Sequence, residues 1–591
     1  MTTADPLTRE AAGVATPAGS GSALVDAIRT FAATHPDRTA CVFVDYASGA
    51  QPSRESLTYA QLHERAGRFA GRLAQAPGEQ HTVAILGAHD LDYLVSFLGC
   101  LYAGLVAVPL YAPEPYRSTQ RLRSVLADCR PGIVVTGGGA HDDAAEVIAS
   151  CRAEDPAWTP ALVRVDAADG PAPDPVERPR ADLAYLQYTS GSTRQPAGVA
   201  VTQANIAAGC RQIASAFDLG PGATMVSWLP YFHDMGLVLT VMAPLMAGAQ
   251  AIYLSPAAFV RQPRRWLELI SEFRATHTAS PNFGLDLCTQ RVAGAPAGDI
   301  DLSSLRVLVN GAEPVRAESL AAFSEKFGPW GFDDRAHTPA YGLAEATLVV
   351  TASAPGQTPR VGAFDRRELE RRRVAPSADS AQLTRVVSCG AAVDQQLVIV
   401  DPRAGTVAPP DAVGEVWLRG ENVCAGYWQD EALTAAVFGC ELSGPPGTTP
   451  AGTWLATGDL GFLHDGELYV IGRSKDVIVV NGMNHHASDV ELTVEGSVAR
   501  SALGRVAVFG VEHAGAERLV VVAEAGPRSA GGDLAGLRTA IRSEIQQEHE
   551  LDPLDIVFVR PGSIPKTSSG KVQRGACREL YRASALRRVG E

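Results

Sequence analysis

Between residues 57 and 75 the apolar side chains recur three and four positions apart, and Leu62, Ala66, Phe69 and Leu73 fall on one face of a helix. A short apolar run at 83–86 reads as a buried strand, 92–103 as an apolar helix, and 105–110 as a further strand that Pro109 closes. Runs at 133–135 and 162–165 continue the series. Short apolar strands alternating with helices predict βαβ units and a largely parallel sheet. Residues 183–188 run as a strand into a polar stretch and 198–201 run out of it, which predicts a hairpin with a tip rich in hydroxyls.

A second βα series follows. Its strands end at Ser227-Trp228-Leu229-Pro230-Tyr231-Phe232-His233-Asp234-Met235-Gly236, at Ser280-Pro281-Asn282-Phe283 and at Asn310-Gly311-Ala312-Glu313-Pro314. Thr338-Pro339-Ala340-Tyr341-Gly342-Leu343-Ala344-Glu345-Ala346-Thr347 comes next. Each cluster is expected just beyond a strand, the side on which parallel α/β sheets collect ligands. The texture then changes. Residues 351–386 are rich in Pro, Arg and Ala and include the run from Arg366 to Arg373. A connection this long inside a compact domain is uncommon and often functional. Residues 386–472 predict antiparallel β, with strands at 397–400, 414–418 and 468–471. Beyond a boundary at 473–476, strands at 506–509, 519–522 and 556–559 and their helices predict a small separate α+β domain.

The length of 591 residues calls for two to four domains. The first 22 residues are small and polar, without the apolar core of a signal peptide, and predict a disordered lead-in. No uncharged apolar run is long enough to span a bilayer. A net charge of -14 argues against nucleic acid as the main partner. The ten cysteines are scattered, with no C-x-x-C pair and no metal-ligand spacing, as in a reduced, cytoplasmic enzyme.

The hairpin tip is the most suggestive stretch. Thr189, Ser190, Ser192 and Thr193 supply four hydroxyls around the bare backbone of Gly191, a composition that can wrap phosphate oxygens. It is not the Walker pattern, which excludes the common nucleotide-hydrolase reading. A Ser/Thr/Gly stretch taken alone is simply a surface loop. Its companions change that. Y-T-S-G-S-T-R at 188–194, W-L-P-Y-F-H-D-M-G-L at 228–237, N-G-A-E-P-V at 310–315 and A-Y-G-L-A-E-A-T at 340–347 resemble, in order and spacing, the adenylate-forming enzymes: acyl-CoA synthetases, luciferases and peptide-synthetase adenylation domains. Within that superfamily the chain looks most like the fatty acyl-AMP ligases, and the insertion after Val350 points the same way.

The resemblance implies a fold and a site. Residues 23–473 would form a large adenylation domain of βα-wound sheets with a small β-barrel-like part. Residues 474–476 would be a hinge pivoting at Lys475, and 477–591 a mobile α+β lid. ATP and Mg²⁺ would be the cofactors. Thr189, Ser190, Gly191, Ser192 and Thr193 would hold the phosphates, and Glu345 one Mg²⁺. Tyr341 would stack on adenine with Gly311 and Ala312 lining the other face, and Asn310, Glu313, Gly342 and Leu343 would belong to the same ATP/AMP site. Asp459, in Thr457-Gly458-Asp459, would take the ribose hydroxyls beside Arg473. Lys571, in Pro565-Lys566-Thr567-Ser568-Ser569-Gly570-Lys571, would stabilise the pentavalent phosphate, and His233 would position the carboxylate. Trp228, Met235, Leu237 and Phe283 are candidates for the acyl pocket.

Two positions depart from the wider superfamily. Ala197 stands where many relatives carry a loop Lys, a neutral position that the acyl-AMP ligases share. Asn484-His485-His486-Ala487 stands where a Pro is more usual. By the same resemblance, the acyl group would pass to the phosphopantetheine thiol of an acyl carrier protein in trans, as in polyketide or lipopeptide starter loading. Residues 351–386 would disfavour the CoA-accepting arrangement. Arg366 to Arg373 and Arg578 to Arg588 are candidate basic patches for an acidic carrier. An acyl-CoA or aryl-CoA synthetase is the alternative reading, and a nucleotide- or lipid-binding protein without turnover is a third. Intact Glu345, Asp459, Arg473 and Lys571 weigh against the last.

Overall fold

The structure is a computed structural model that describes residues 22–47, 52–77, 82–113, 119–166, 182–188, 196–293, 300–377, 383–444, 451–480, 483–496, 503–513, 516–526, 534–567 and 571–589. The lead-in before Ser22 and the hairpin tip from Thr189 to Thr193 lie outside the described residues.

Two wound sheets come first. One has six strands in the order Ala161–Arg164, Ile133–Thr136, Thr82–Gly87, Val106–Tyr111, Leu183–Tyr188, Gly198–Thr202. Neighbours are parallel until the last pair, which is antiparallel, as the expected hairpin requires. The other has nine strands. Its centre runs parallel in the order Thr39–Asp45, Gln250–Tyr253, Thr224–Ser227, His277–Ala279, Val307–Asn310, His337–Leu343. These strands are continuous apolar runs because helices cover both faces. The helix Tyr59–Gln75 opens with a capping box between Thr58 and Gln61 and buries Leu62, Ala66, Phe69 and Leu73. Each of those larger side chains contributes about 1.5–3 kcal/mol of burial.

Two sequence expectations shift. Pro109 does not close its strand but lies inside Val106–Tyr111. It is tolerated because the ladder toward Leu183–Tyr188 holds only the pair Ala107 and Tyr185, so its missing N–H interrupts little. Thr338 to Leu343 are not beyond a strand; they are the strand. They pair antiparallel with Leu348–Ala352, which puts Glu345 at the tip of a hairpin.

The chain then builds an antiparallel, barrel-like sheet from Gln396–Asp401, Gly414–Arg419, Thr453–His464 and Glu467–Arg473. The described residues of the segment 351–386 are folded. Val361–Asp365 pairs with Leu383–Val387, and the helix Arg366–Glu370 lies between them. Only that part of the basic run is helical; Arg372 turns left-handed, at φ 62°, just beyond it.

The C-terminal part carries Leu503–His513, Ala516–Ala525 and Asp555–Val559 in one sheet. Alternation sorts its two faces. Val506, Val508 and Val521 pack with Val490 and Ile541 of the helices Ala487–Gly496 and Leu534–His549. Ala507, Phe509 and Val522 pack with Cys577 of the helix Arg574–Arg582. All ten cysteines are free thiols, and no helix among the described residues is long and apolar enough to cross a membrane.

Candidate active site

The ends of both wound sheets, the barrel-like sheet and the C-terminal part converge on a cavity of about 890 Å³. The hairpin after His337 supplies one wall. It turns tightly because position 342 is glycine: a Cβ there would sit 1.7 Å from the Leu348 carbonyl oxygen. Tyr341 and Glu345 both line the cavity. Burial pushes the Glu345 carboxyl pKa up, and the Tyr427 hydroxyl donates to its Oε1 at 2.9 Å.

Register in the barrel-like sheet sets the next group. Asp459 stands directly opposite Arg473 in the antiparallel pair, so Arg473 Nε donates to Asp459 Oδ1 at 2.9 Å. The Tyr341 hydroxyl donates to Oδ2 at 2.7 Å. Gly458 takes φ 72°, a left-handed turn suited to glycine, and gives its N–H to Glu415. A carboxylate offers about four lone-pair sites, so Asp459 keeps acceptor capacity toward the cavity.

The strand ending at Ser227 leads to His233 and Asp234, with His233 Nδ1 2.7 Å from Asp234 Oδ1. Burial opposes charge on Asp234, but His233 and then Lys571 outweigh it and hold the carboxyl at about 2. Met235–Met242 is a π-helix, a rare form often found at functional sites. Gly236 lets it approach, because a Cβ would lie 2.0 Å from the Pro230 carbonyl oxygen.

Lys571 arrives from the C-terminal part. Its loop is pinned by the Thr567 N–H to the Lys571 carbonyl, 2.8 Å, and by the Lys571 N–H to Thr567 Oγ1, 3.0 Å. Burial pushes its ammonium pKa down; Asp234, Glu313 and Asp459 pull it up, and Arg473 pushes it down. All four side chains are therefore close enough to set the field at Lys571. Lys475, in the turn Ser474–Asp476, also lines the cavity. The protein wall and Arg473 lower its pKa.

Most of the expected residues meet here. Gly311, Ala312, Glu313, Gly342 and Leu343 line the cavity with those above. Ala312 holds φ 70°, a strain of about 1–2 kcal/mol for a residue with a Cβ. Asn310 does not line this cavity: it is fully buried and gives its Nδ2 to the Ser280 carbonyl at 2.8 Å, tying two strand ends together. Of the proposed acyl wall only Met235 lines it. Trp228 instead stacks on Phe259 at 4.0 Å with Phe283 against its edge, and Leu237 is in the core. Tyr427, Asp234 and Arg121 also line the cavity and were not singled out from sequence. Tyr427 meets Glu345 only through the fold, since the two are 82 residues apart.

The fold and this arrangement gather titratable and polar side chains around one cavity between the wound sheets and a small α+β part. Comparison with known proteins makes the class specific. Residues 28–428 match the AMP-binding enzyme family, and 475–589 match the AMP domain of Disco-interacting protein 2-like proteins. The chain is 38% identical over 570 residues to the long-chain-fatty-acid–AMP ligase FadD26 of Mycobacterium marinum, covering 94% of this chain and 96% of that protein. It is 37% identical over 583 residues to the 4-hydroxyphenylalkanoate adenylyltransferase of the same species, covering 96% and 93%. The crystal structure of fatty acyl-adenylate ligase from L. pneumophila, in complex with acyl adenylate and pyrophosphate, superposes with a TM-score of 0.71 at 32% identity, covering 97% and 98%. The chain belongs to the AMP-binding, adenylate-forming enzymes, and within them to the fatty acyl-AMP ligases.

Proposed function

We propose that the chain converts a fatty acid and ATP to acyl-adenylate and passes the acyl group to the phosphopantetheine thiol of a carrier protein supplied in trans, in the cytoplasm. A carboxylate oxygen attacks the α-phosphorus; the new O–P bond replaces the bond to pyrophosphate, which leaves. Both reactants are anions, so neutralisation and positioning dominate the barrier. Lys571 stabilises charge on the pentavalent phosphorus and the incoming carboxylate. Asp459, oriented by Arg473 and Tyr341, takes the ribose hydroxyls. Tyr341 and the 311–313 turn bracket the base, and His233, braced by Asp234, sits beside the carboxylate. In the second step the thiol sulfur attacks the acyl carbon, a C–S bond replaces the C–O bond to phosphate, and AMP leaves while the thiol proton passes to solvent.

Magnesium would be held by Glu345. No group of three or more metal-ligating side chains exists among the described residues. Mg²⁺ ordinarily takes one or two carboxylates plus phosphate oxygens and water, and a single buried carboxylate fits that need. The ion would neutralise phosphate charge.

The choice of acceptor rests on how the 351–386 segment is fastened to the C-terminal part. Arg366 Nη1 donates to the Glu548 carbonyl at 2.7 Å and to its carboxylate at 3.0 Å, and Arg367 pairs with Glu550. Asn484 Nδ2 donates to the Glu370 carbonyl at 2.9 Å, and His485 Nδ1 lies 3.1 Å from the Glu370 carboxylate. The unusual 484–487 stretch thus forms half of this contact. A small part held in this way is hindered from swinging to the arrangement that admits CoA. The test supplies CoA and a phosphopantetheinylated carrier separately to enzyme, ATP, Mg²⁺ and fatty acid. Thioester on the carrier is the expected product; abundant acyl-CoA with a bare carrier overturns the reading.

A further inference from the structure

Charge is distributed unevenly along this chain. Residues 555–591 hold eight Lys and Arg against three Asp and Glu, while the whole chain holds 51 against 65. The fold brings two of these cations, Arg560 and Arg587, together at one end of the C-terminal sheet. Val559 pairs with Glu524 in the sheet and bridges to Arg588, and the Arg560 N–H donates to the Arg587 carbonyl at 3.2 Å, so Arg560 and Arg587 leave the sheet side by side. The Ser563 N–H returns to the Arg560 carbonyl at 3.1 Å, and the chain then reaches Lys566. Lys566 forms a bridge with Val572, and Val572, Thr567 and Lys571 all line the catalytic cavity. The basic end of the sheet is therefore continuous with the rim of the active site.

The carboxylates nearby are committed. Glu524 is buried and accepts the Ile564 N–H; Asp555 faces Arg588 at 3.8 Å; Glu579 faces Arg582 at 3.4 Å. Arg560, Lys566 and Arg587 are exposed, and no ion pair among the described residues engages them. The other basic stretch is different. Arg366, Arg367, Arg371 and Arg373 are all paired, with Glu548, Glu550 and Glu368. Among the described residues, four of the five arginines of that stretch are thus engaged, whereas Arg560, Lys566 and Arg587 are not.

We propose that Arg560, Lys566 and Arg587 form the docking surface for the acidic carrier protein that receives the acyl group, a proposal that rests on the carrier reading above. Complementary charge raises the encounter rate and fixes orientation. A carrier seated here presents its thiol arm at the rim formed by Thr567 and Val572.

The test uses the full chain and a triple variant, Arg560→Glu, Lys566→Glu, Arg587→Glu, with a bacterial acyl carrier protein bearing phosphopantetheine. Fatty-acid-dependent ATP–pyrophosphate exchange should stay within about twofold of wild type, while kcat/KM for carrier loading falls by about tenfold or more, mainly through KM. Raising salt should weaken wild-type loading and leave the variant's nearly unchanged. Wild-type carrier KM in the variant overturns the docking surface. So does a matching loss of pyrophosphate exchange, which would place these residues in the chemistry or the fold, and so does selective loss of binding to phosphatidylglycerol vesicles with carrier loading intact. A wild-type enzyme that makes acyl-adenylate but never loads the carrier contradicts the acceptor reading itself, a separate result.

Discussion

Replacing Lys571 by alanine isolates one charge. The loop that carries it is held by backbone and hydroxyl bonds to Thr567 and by the Gln573 N–H to the Pro565 carbonyl at 2.9 Å, none of which involves the ammonium. The variant should therefore keep its shape and lose only the cation among Asp234, Glu313, Asp459 and Arg473. One aimed donor in a water-poor cleft contributes about 2.7–4 kcal/mol to the transition state, which is about 100- to 1000-fold in rate. Fatty-acid-dependent ATP–pyrophosphate exchange reads this directly. The loss should fall on kcat, with KM for the acid changed by less than about threefold, because the charge is needed most when phosphorus is pentavalent. Acyl transfer from added acyl-adenylate should be largely spared. The pH profile gives an independent check. Burial pushes the Lys571 pKa down, so wild-type adenylation should fall at alkaline pH sooner than a free lysine would dictate. Lys571→Arg, if active, should move that limb upward. Exchange within about tenfold of wild type in Lys571→Ala would refute the assigned role.

Other expectations follow from single contacts. Gly342→Ala should cost at least about 3 kcal/mol, since its Cβ would meet the Leu348 backbone oxygen at 1.7 Å; a wild-type melting temperature contradicts this. Double substitution Glu370→Ala, His485→Ala removes a contact between the insertion and the C-terminal part, and should raise the yield of acyl-CoA when CoA is the only acceptor; an unchanged yield counts against the fastening as the barrier. Burial raises the Asp489 carboxyl to about 6, above its unfolded value near 4. The folded state then holds the proton more tightly, so stability should fall as pH rises from about 4 to 6, and Asp489→Asn should flatten that fall; urea midpoints across this range decide it.

Much of the architecture was legible because apolar period and strand length are local signals. The helix 59–75 and the buried strand at 133–136 are visible in the spacing of a few side chains. What escaped depended on partners distant in sequence. Tyr341 and Gly342 form a strand only because Leu348–Ala352 pairs with it. Asn310 looks like a ligand contact in its motif; in the fold its Nδ2 donates to the Ser280 carbonyl and its side chain stands behind the cavity wall. Trp228 and Leu237 are apolar and near His233 in sequence, and an apolar side chain reads the same whether it walls a tunnel or fills a core. Tyr427 gives no local hint that its hydroxyl will meet Glu345. The Asn484–His485 pair acquires meaning only against Glu370, whose helix lies in the 351–386 segment.

The central claim is that one cleft joins a fatty acid to the adenylate of ATP. The most direct measurement incubates the purified protein with ATP, Mg²⁺ and fatty acids of graded length, with no thiol acceptor, and detects acyl-AMP by mass spectrometry beside Asp459→Ala as control. Acyl-AMP in step with released pyrophosphate from the wild type, lost in the variant, is the predicted result. ATP bound without any acyl-AMP formed, or equal acyl-AMP from the variant, would contradict it.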